Sequence, residues 1–252
     1  MALQKILSSM RQAVEKFDMI AEGDRICVGL SGGKDSLVLL AALAAYRRFS
    51  PQKFVLGAVT VDMGLQGTDL SPLKNYCNAE NIEYSIVKTE IGPLIFDVRK
   101  EKNPCSLCSK MRRGALCGAM SAHGYNKLAL GHHADDLAET MLLSLLYEGR
   151  FSTFSPVSYM DRSGITLIRP LILTREKDII PASGSLPVCK NSCPANQFTQ
   201  REYVKKLLRN ICKDIPFAKD RMIGALTHPE RNNLWDKNIT ADHISDLTRH
   251  NN

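Results

Sequence analysis

The sequence predicts an α/β protein built on a doubly wound parallel sheet. Three observations predict it. Apolar runs of strand length alternate with stretches of helical periodicity along most of the chain, the pattern of a parallel sheet covered on both faces. The run Ile26-Cys27-Val28-Gly29-Leu30 passes through a tight polar turn straight into Leu37–Leu43, a strand–turn–helix unit. A second run, Lys127–Gly131, opens into His132-His133-Ala134-Asp135-Asp136 and another apolar helix. In such sheets ligands bind beyond the carboxyl ends of the strands. Ser31–Ser36 and Asp62 are therefore both expected there.

In chain order, Leu3, Ile6, Leu7, Met10, Val14, Phe17 and Ile20 recur at three and four residues, giving an amphipathic helix over 3–21 with Gly23 as its stop. The strand at 26–30 and its turn lead to a helix ending near Tyr46. Phe54 to Val61 is the next strand, Leu70 to Ala79 a helix, and Tyr84 to Val87 a third strand. From Pro104 a helix-compatible run reaches His123. The fourth strand, at 127–131, precedes a helix over Leu137–Tyr147. Ile165 to Leu171 is the fifth strand, Thr174 caps a short helix at 175–180, and 181–187 is a loop. Phe198 to Lys213 reads as a basic amphipathic helix carrying Arg201, Lys205, Lys206, Arg209 and Lys213. The chain divides into an N-terminal helix (1–22), a central domain (23–215) and a polar, loosely held extension (216–252).

Size and composition suit a soluble globular protein with one α/β core: 252 residues, 44% hydrophobic and 23% charged. No apolar run approaches the roughly 20 residues that span a bilayer, and the N-terminus lacks a signal-peptide pattern. A cytoplasmic protein without a membrane partner is expected. The eight cysteines then read as thiols or ligands rather than disulfides. The net charge of +7 suits a polyanionic partner.

In Ser31-Gly32-Gly33-Lys34-Asp35-Ser36, two glycines allow a sharp turn and close ligand approach. The first N–H groups of the following helix point into the same hollow, which suits a phosphate. The spacing and the internal Asp35 distinguish it from a Walker A loop. The alternative is a Ser-Gly turn that caps an ordinary helix. Asp135 and Asp136 stand at a strand-to-helix junction, where carboxylates can hold Mg²⁺ against nucleotide phosphates; one of them can instead cap the helix. His132 and His133 are acid–base candidates or plain strand-end residues. Cys105 and Cys108 share a helix face, and a metal or cluster site needs distant help from Cys189 or Cys193. Cys27, Cys77, Cys117 and Cys212 read as core. Arg112, Arg113 and the basic helix offer contacts to an RNA backbone, or a solvated face.

The S-G-G-K-D-S loop resembles the PP-loop ATP pyrophosphatases. Together with P-C-S-L-C-S at 104–109, R-R-G at 112–114, L-G-H-H-A-D-D-L-A-E-T at 130–140, R-P-L at 169–171 and R-E-K-D-I at 175–179, it is similar to the tRNA 2-thiocytidine synthetase family over residues 1–215. The resemblance implies a PP-loop domain of the adenine nucleotide alpha hydrolase-like type at 23–215, and ATP, Mg²⁺ and a [4Fe-4S] cluster as cofactors. It implies adenylation of a cytidine O2 in the tRNA anticodon loop, then displacement of AMP by cluster-borne sulfide. A cysteine desulfurase or free sulfide would supply the sulfur. A homodimer is compatible with it. By position, Ser31, Gly32, Gly33, Lys34, Asp35 and Ser36 match the pyrophosphate loop, with Asp62, Met63 and His132 beside the nucleotide. Asp35, Asp135 and Asp136 match the catalytic carboxylates, and Cys105, Cys108 and Cys193 the cluster ligands. The alternatives are thiolation of a uridine by the same chemistry and a zinc-stabilised RNA-binding protein without catalysis.

Overall fold

A computed structural model of the chain describes residues 2–100, 104–189, 193–194 and 199–231. Helix α1 (Ala2–Lys16) leads to strand β1 (Arg25–Gly29), α2 (Lys34–Tyr46), β2 (Val55–Asp62), α3 (Ser71–Ala79) and β3 (Glu83–Lys88). A short helix α4 (Ile91–Pro93) widens into a π turn at Leu94–Val98. Then come α5 (Pro104–Ala122), β4 (Lys127–Ala129), α6 (Ala134–Glu148), the strands β5 (Val157–Met160) and β6 (Ile165–Ile168), α7 (Glu176–Ala182), α8 (Gln200–Asp214) and α9 (Ala218–Thr227).

The six strands form one sheet in the order β3-β2-β1-β4-β6-β5. All pairs are parallel except β5 with β6. The chain winds outward from β1 to β3 and returns to β4 on the other side of β1. That reversal leaves a crevice between β1 and β4, the place where open α/β sheets bind ligands. The expected fold class is the one observed.

Alternation along β1 sets the two faces. Ile26, Val28 and Leu30 join a large core with Met10 of α1, Leu39 of α2 and Ile179 of α7. Cys27 points the other way, where Leu116 and Met120 of α5 cover it. Burial there pushes the Cys27 thiol up to about 12, so it is an inert small apolar group. Ile6 and Met10 of α1 are fully buried in the large core, so segment 1–22 shares its hydrophobic cluster with the sheet. A third cluster joins Ala138, Met141 and Leu142 of α6 to Val204 and Leu208 of α8.

Three elements go beyond the sequence expectation. Strand β5 has only four residues, two of them Ser158 and Tyr159, too few to show an alternating pattern. The π turn at Leu94–Val98 follows a three-residue helix. Helix α9 lies inside the extension expected to be loose, yet Met222, Ile223 and Leu226 pack on the α6–α8 cluster. The remainder of that extension, 232–252, lies outside the described residues, as does Phe198; α8 begins at Gln200, where the Thr199 side chain accepts from Glu202 N at 3.2 Å.

At the opposite end of the sheet a buried ion pair fixes β1 to β4. Lys127 Nζ lies 2.6 Å from Asp24 Oδ2, and Asp24 also accepts from Asn126 Nδ2 (2.8 Å) and Ala21 N (2.6 Å). Burial opposes the Asp24 charge, but these donors outweigh it and hold its pKa below 3.8. Its stabilisation is therefore complete above that value and lost as pH falls through the lower folded value. Asp24→Asn strands the buried Lys127 ammonium. Thermal unfolding at pH 7 should show a loss of about 3 kcal/mol, roughly 6–12 °C in Tm, and a much smaller difference from the unsubstituted protein near pH 2.

Candidate active site

The turn after β1 is shaped by two serines and two glycines. Ser36 Oγ donates to Gly33 O (2.9 Å), accepts from Ser31 N (3.2 Å) and lies 3.1 Å from Ser31 Oγ. Gly32 sits at φ +78°, a conformation that side chains disfavour. Gly33 is the N-cap of α2 and no side chain caps the helix, so its leading N–H groups remain available to an anion. The turn is pressed from two sides. The Cys189 backbone N–H donates to Gly32 O at 2.9 Å, and a Cβ on Gly32 would lie 3.1 Å from that of Cys189. A Cβ on Gly131 would meet the Asp35 carbonyl carbon at 2.9 Å and Ser36 N at 3.0 Å.

Beside the turn lies a cavity of about 300 Å³. One end carries Ser31 and Gly33, and the β2 side carries Thr60, Asp62 and Met63. The remaining wall includes Cys108, Arg112, Cys189 and Cys193. Cys105 is exposed, one helical turn before Cys108 on α5. Burial, opposed by Arg112 and aided by the charges of Cys193 and Cys105, raises the Cys108 thiol. Those couplings put all three expected cluster cysteines in one neighbourhood. Burial and Asp69 raise the Cys189 thiol. Among the described residues, no three Cys, His, Asp or Glu side chains are close enough to grip one metal ion; the thiols share a wall rather than a single point.

The carboxylates separate. Asp35 belongs to a closed ring of ion pairs. Lys34 Nζ bridges Asp35 (2.8 Å) and Glu176 (3.1 Å), and Lys205 bridges Glu176 (3.4 Å) and Glu139 (3.9 Å). Arg201 joins Glu139 (3.4 Å) to Asp136 (3.8 Å). His133 Nε2 closes the ring, 3.6 Å from Asp136 and 3.7 Å from Asp35. Asp136 also accepts from His133 N at 3.0 Å and so caps α6. Asp135, one residue earlier, faces away from the cavity. It accepts from Glu176 N (2.7 Å) and Arg175 Nε (3.1 Å) and pairs with Lys219 at 3.0 Å. Burial opposes its charge, but those donors hold its carboxyl well below the usual range. Asp135 and Asp136 thus meet different partners: about 100° of helical rotation turns neighbouring residues to different sides.

The half-buried His132 ring lies against Phe154, with ring centroids 5.0 Å apart. Burial lowers its pKa to about 4, so it is neutral at physiological pH. The basic helix also differs from expectation. Arg201 and Lys205 turn inward to the ring, whereas Lys206, Arg209 and Lys213 are exposed.

Sequence reasoning missed Glu139, Glu176 and Thr60. Glu139 stands three residues after Asp136 on α6, a spacing that shares a face and carried a usable signal. Glu176 reaches Lys34 only through the fold, 142 residues on, and carried none.

Residues 3–210 match the PP-loop domain family. The tRNA-cytidine(32) 2-sulfurtransferase of Citrifermentans bemidjiense is 35% identical over 244 residues, covering 95% of this chain and 96% of the relative. The one from Geobacter sulfurreducens is 36% identical over 238 residues, covering 92% and 93%. Among solved structures, the U34-tRNA thiolase NcsA from Methanococcus maripaludis, with its [4Fe-4S] cluster, aligns with a TM-score of 0.70 at 24% identity. That alignment covers 91% of this chain and 80% of the other and is a likeness of fold.

The close approach at Gly131 yields a prediction. Gly131→Ala must displace the backbone at Asp35 and Ser36 by several tenths of an ångström, and small misplacements at a reacting centre cost on the order of a hundredfold. ATP-dependent turnover should fall by roughly that factor, with Tm within a few degrees of the unsubstituted protein. Full turnover in a folded Gly131→Ala protein would show that the contact does not shape the loop.

Proposed function

The chain belongs to the PP-loop family, within the tRNA-cytidine 2-sulfurtransferases, and we propose that it replaces O2 of an anticodon-loop cytidine with sulfur by adenylation and cluster-fed sulfide. The target is cytidine 32, the position named by the relatives. One observation carries the reading: the nucleotide-type loop and the thiols Cys108 and Cys193 open into the same cavity. Activation and sulfur delivery must act on one carbon, and a shared cavity is the minimum geometry for that.

Ser31, Gly32, Gly33, Ser36 and the uncapped N-terminus of α2 receive the pyrophosphate of ATP. The β2 side, with Asp62 and Met63, receives the nucleoside. Lys34 neutralises phosphate charge, and burial is outweighed by its carboxylate partners so that it stays protonated. Asp35 is the expected carboxylate with the most open side chain, 33% exposed against 18% for Asp136 and 5% for Asp135. We assign Mg²⁺ to Asp35 together with the phosphates, an arrangement this ion favours. His133 and Asp136 position Asp35.

Cytidine O2 attacks the α-phosphorus and pyrophosphate leaves; sulfide then attacks C2 and AMP leaves with the oxygen. The loop donors strengthen as charge develops on pyrophosphate. Cys105, Cys108 and Cys193 supply the soft thiolate set that an iron–sulfur cluster takes. Held by these three thiolates, a [4Fe-4S] cluster would supply the sulfide. Cys189 is left to hold Gly32.

Two expectations test this reading. Asp35→Ala should abolish thiolation, measured as 2-thiocytidine in digested tRNA, while retaining cluster iron; undiminished product would exclude the loop from the chemistry. Cys193→Ala should lose iron and its brown absorbance on anaerobic purification, whereas Cys189→Ala should keep both. The reverse pattern would move the third ligand to Cys189, and bound zinc in place of iron would favour the non-catalytic reading.

A further inference from the structure

Arg169 is a buried cation without an anion. It follows β6 immediately, is 7% exposed, and no carboxylate pairs with it among the described residues. Its Nη1 donates to Ser155 O at 2.5 Å and Ser158 Oγ at 3.4 Å. Its guanidinium lies 4.8 Å from the Phe154 ring centroid. Among the described residues its Nε is buried with no hydrogen-bond partner, and Nη2 makes no hydrogen bond.

The surroundings add positive charge rather than cancel it. Burial lowers the Arg169 pKa to about 10, and the charge of Arg113 on α5 pushes the same way. The guanidinium therefore stays charged at neutral pH, beside a second, exposed cation. The His132 ring lies against Phe154, near enough to feel the Arg169 charge, and its Nδ1 is also buried and unpartnered among the described residues. Buried charges are almost always paired, and an unpaired one is costly to keep. Unused hydrogen-bonding atoms on Arg169 and His132 beside one charge suit one kind of complement, a compact anion that accepts several hydrogen bonds.

We infer that Arg169, with Arg113 and His132, binds a phosphate of the RNA backbone next to the target nucleotide. This rests on the tRNA-cytidine reading and locates where the RNA enters. The cavity runs from the loop toward β2, away from this site. Arg169 stands two strands from β1 on the other side, at β6, about 10 Å across the sheet. ATP bound along β2 does not reach it, whereas RNA approaching over β4 and β6 presents its backbone there. The Phe154 ring gives Arg169 a fixed plane, which favours bidentate recognition of a phosphate.

The test uses the full-length cluster-loaded protein and measures affinity for tRNA and for ATP across a salt series. Arg113→Ala, at an exposed position, and Arg169→Gln, checked by circular dichroism, should each weaken tRNA binding about tenfold. Each should reduce the salt slope by about one. ATP affinity should stay unchanged. A neutral methylphosphonate beside the target cytidine should impose the same loss on the unsubstituted protein and little more on Arg169→Gln. Unchanged tRNA affinity and slope in both variants would overturn the site and leave Arg169 as a strap for Ser155–Ser158. Weakened ATP with unchanged tRNA would overturn the RNA assignment. Failure of the unsubstituted protein to bind tRNA would remove the functional reading, and the inference with it.

Discussion

The loop at Ser31–Ser36 opens a helix whose leading N–H groups meet no capping side chain among the described residues, which leaves them available to an anion. Everything around it follows from that constraint. Its shape is held from within by the Ser31 and Ser36 hydroxyls, and from outside by the Cys189 N–H on Gly32 O and the bare Cα of Gly131 against Asp35 and Ser36. Its charges are held by the ring running from Lys34 through Glu176, Lys205, Glu139, Arg201, Asp136 and His133 back to Asp35. Glu139 is 1% exposed, and burial raises its pKa, opposed by Lys205 and Arg201. A half-buried network of this kind rigidifies when complete and is strongly destabilised when one member is lost. It also ties α8, the helix with the densest positive charge, to the nucleotide loop. The cations of α8 thus do two jobs: Arg201 and Lys205 brace the loop, while Lys206, Arg209 and Lys213 remain for solvent or RNA.

The sheet order distributes the chemistry along one edge. From β2 to β6 the ends of the strands carry Asp62 and Met63, the Ser31–Ser36 loop, the His133–Asp136 brace and Arg169. The thiols are brought to the same place by elements that are not strands. Cys108 rides on α5, which covers the second face of the sheet, and Cys193 comes from the segment after α7. Their approach to the loop is a tertiary consequence of wrapping both faces of the sheet. In a PP-loop protein it adds sulfur chemistry to an ATP site.

The parts of this arrangement written locally were legible. Strand β1 shows as an unbroken apolar run because both its faces are buried, and the Ser-Gly turn shows because backbone geometry demands those residues. The paired histidines and aspartates marked the second junction. What the sequence could not show was direction. Asp135 and Asp136 are adjacent, yet one meets Arg175 and Lys219 and the other closes the ring, a choice made by the packing of α7 and α9. Lys205 looks the same as Lys206 in a charge run until α6 places Glu139 beneath it. Strand β5 owes its existence to pairing with β6, and α9 to the apolar floor of α6 and α8; neither has enough periodicity to declare itself.

The central claim is that ATP activates the base and sulfide replaces its oxygen in one cavity. An isotope tracer tests it most directly. Transfer RNA carrying ¹⁸O at cytidine O2 is turned over with ATP and sulfide by the cluster-loaded protein, and the nucleotide products are weighed by mass spectrometry. The label should appear in AMP, one atom for each 2-thiocytidine formed, with unlabelled pyrophosphate beside it. Label found in water or inorganic phosphate, or ADP as the nucleotide product, would contradict adenylation of the base.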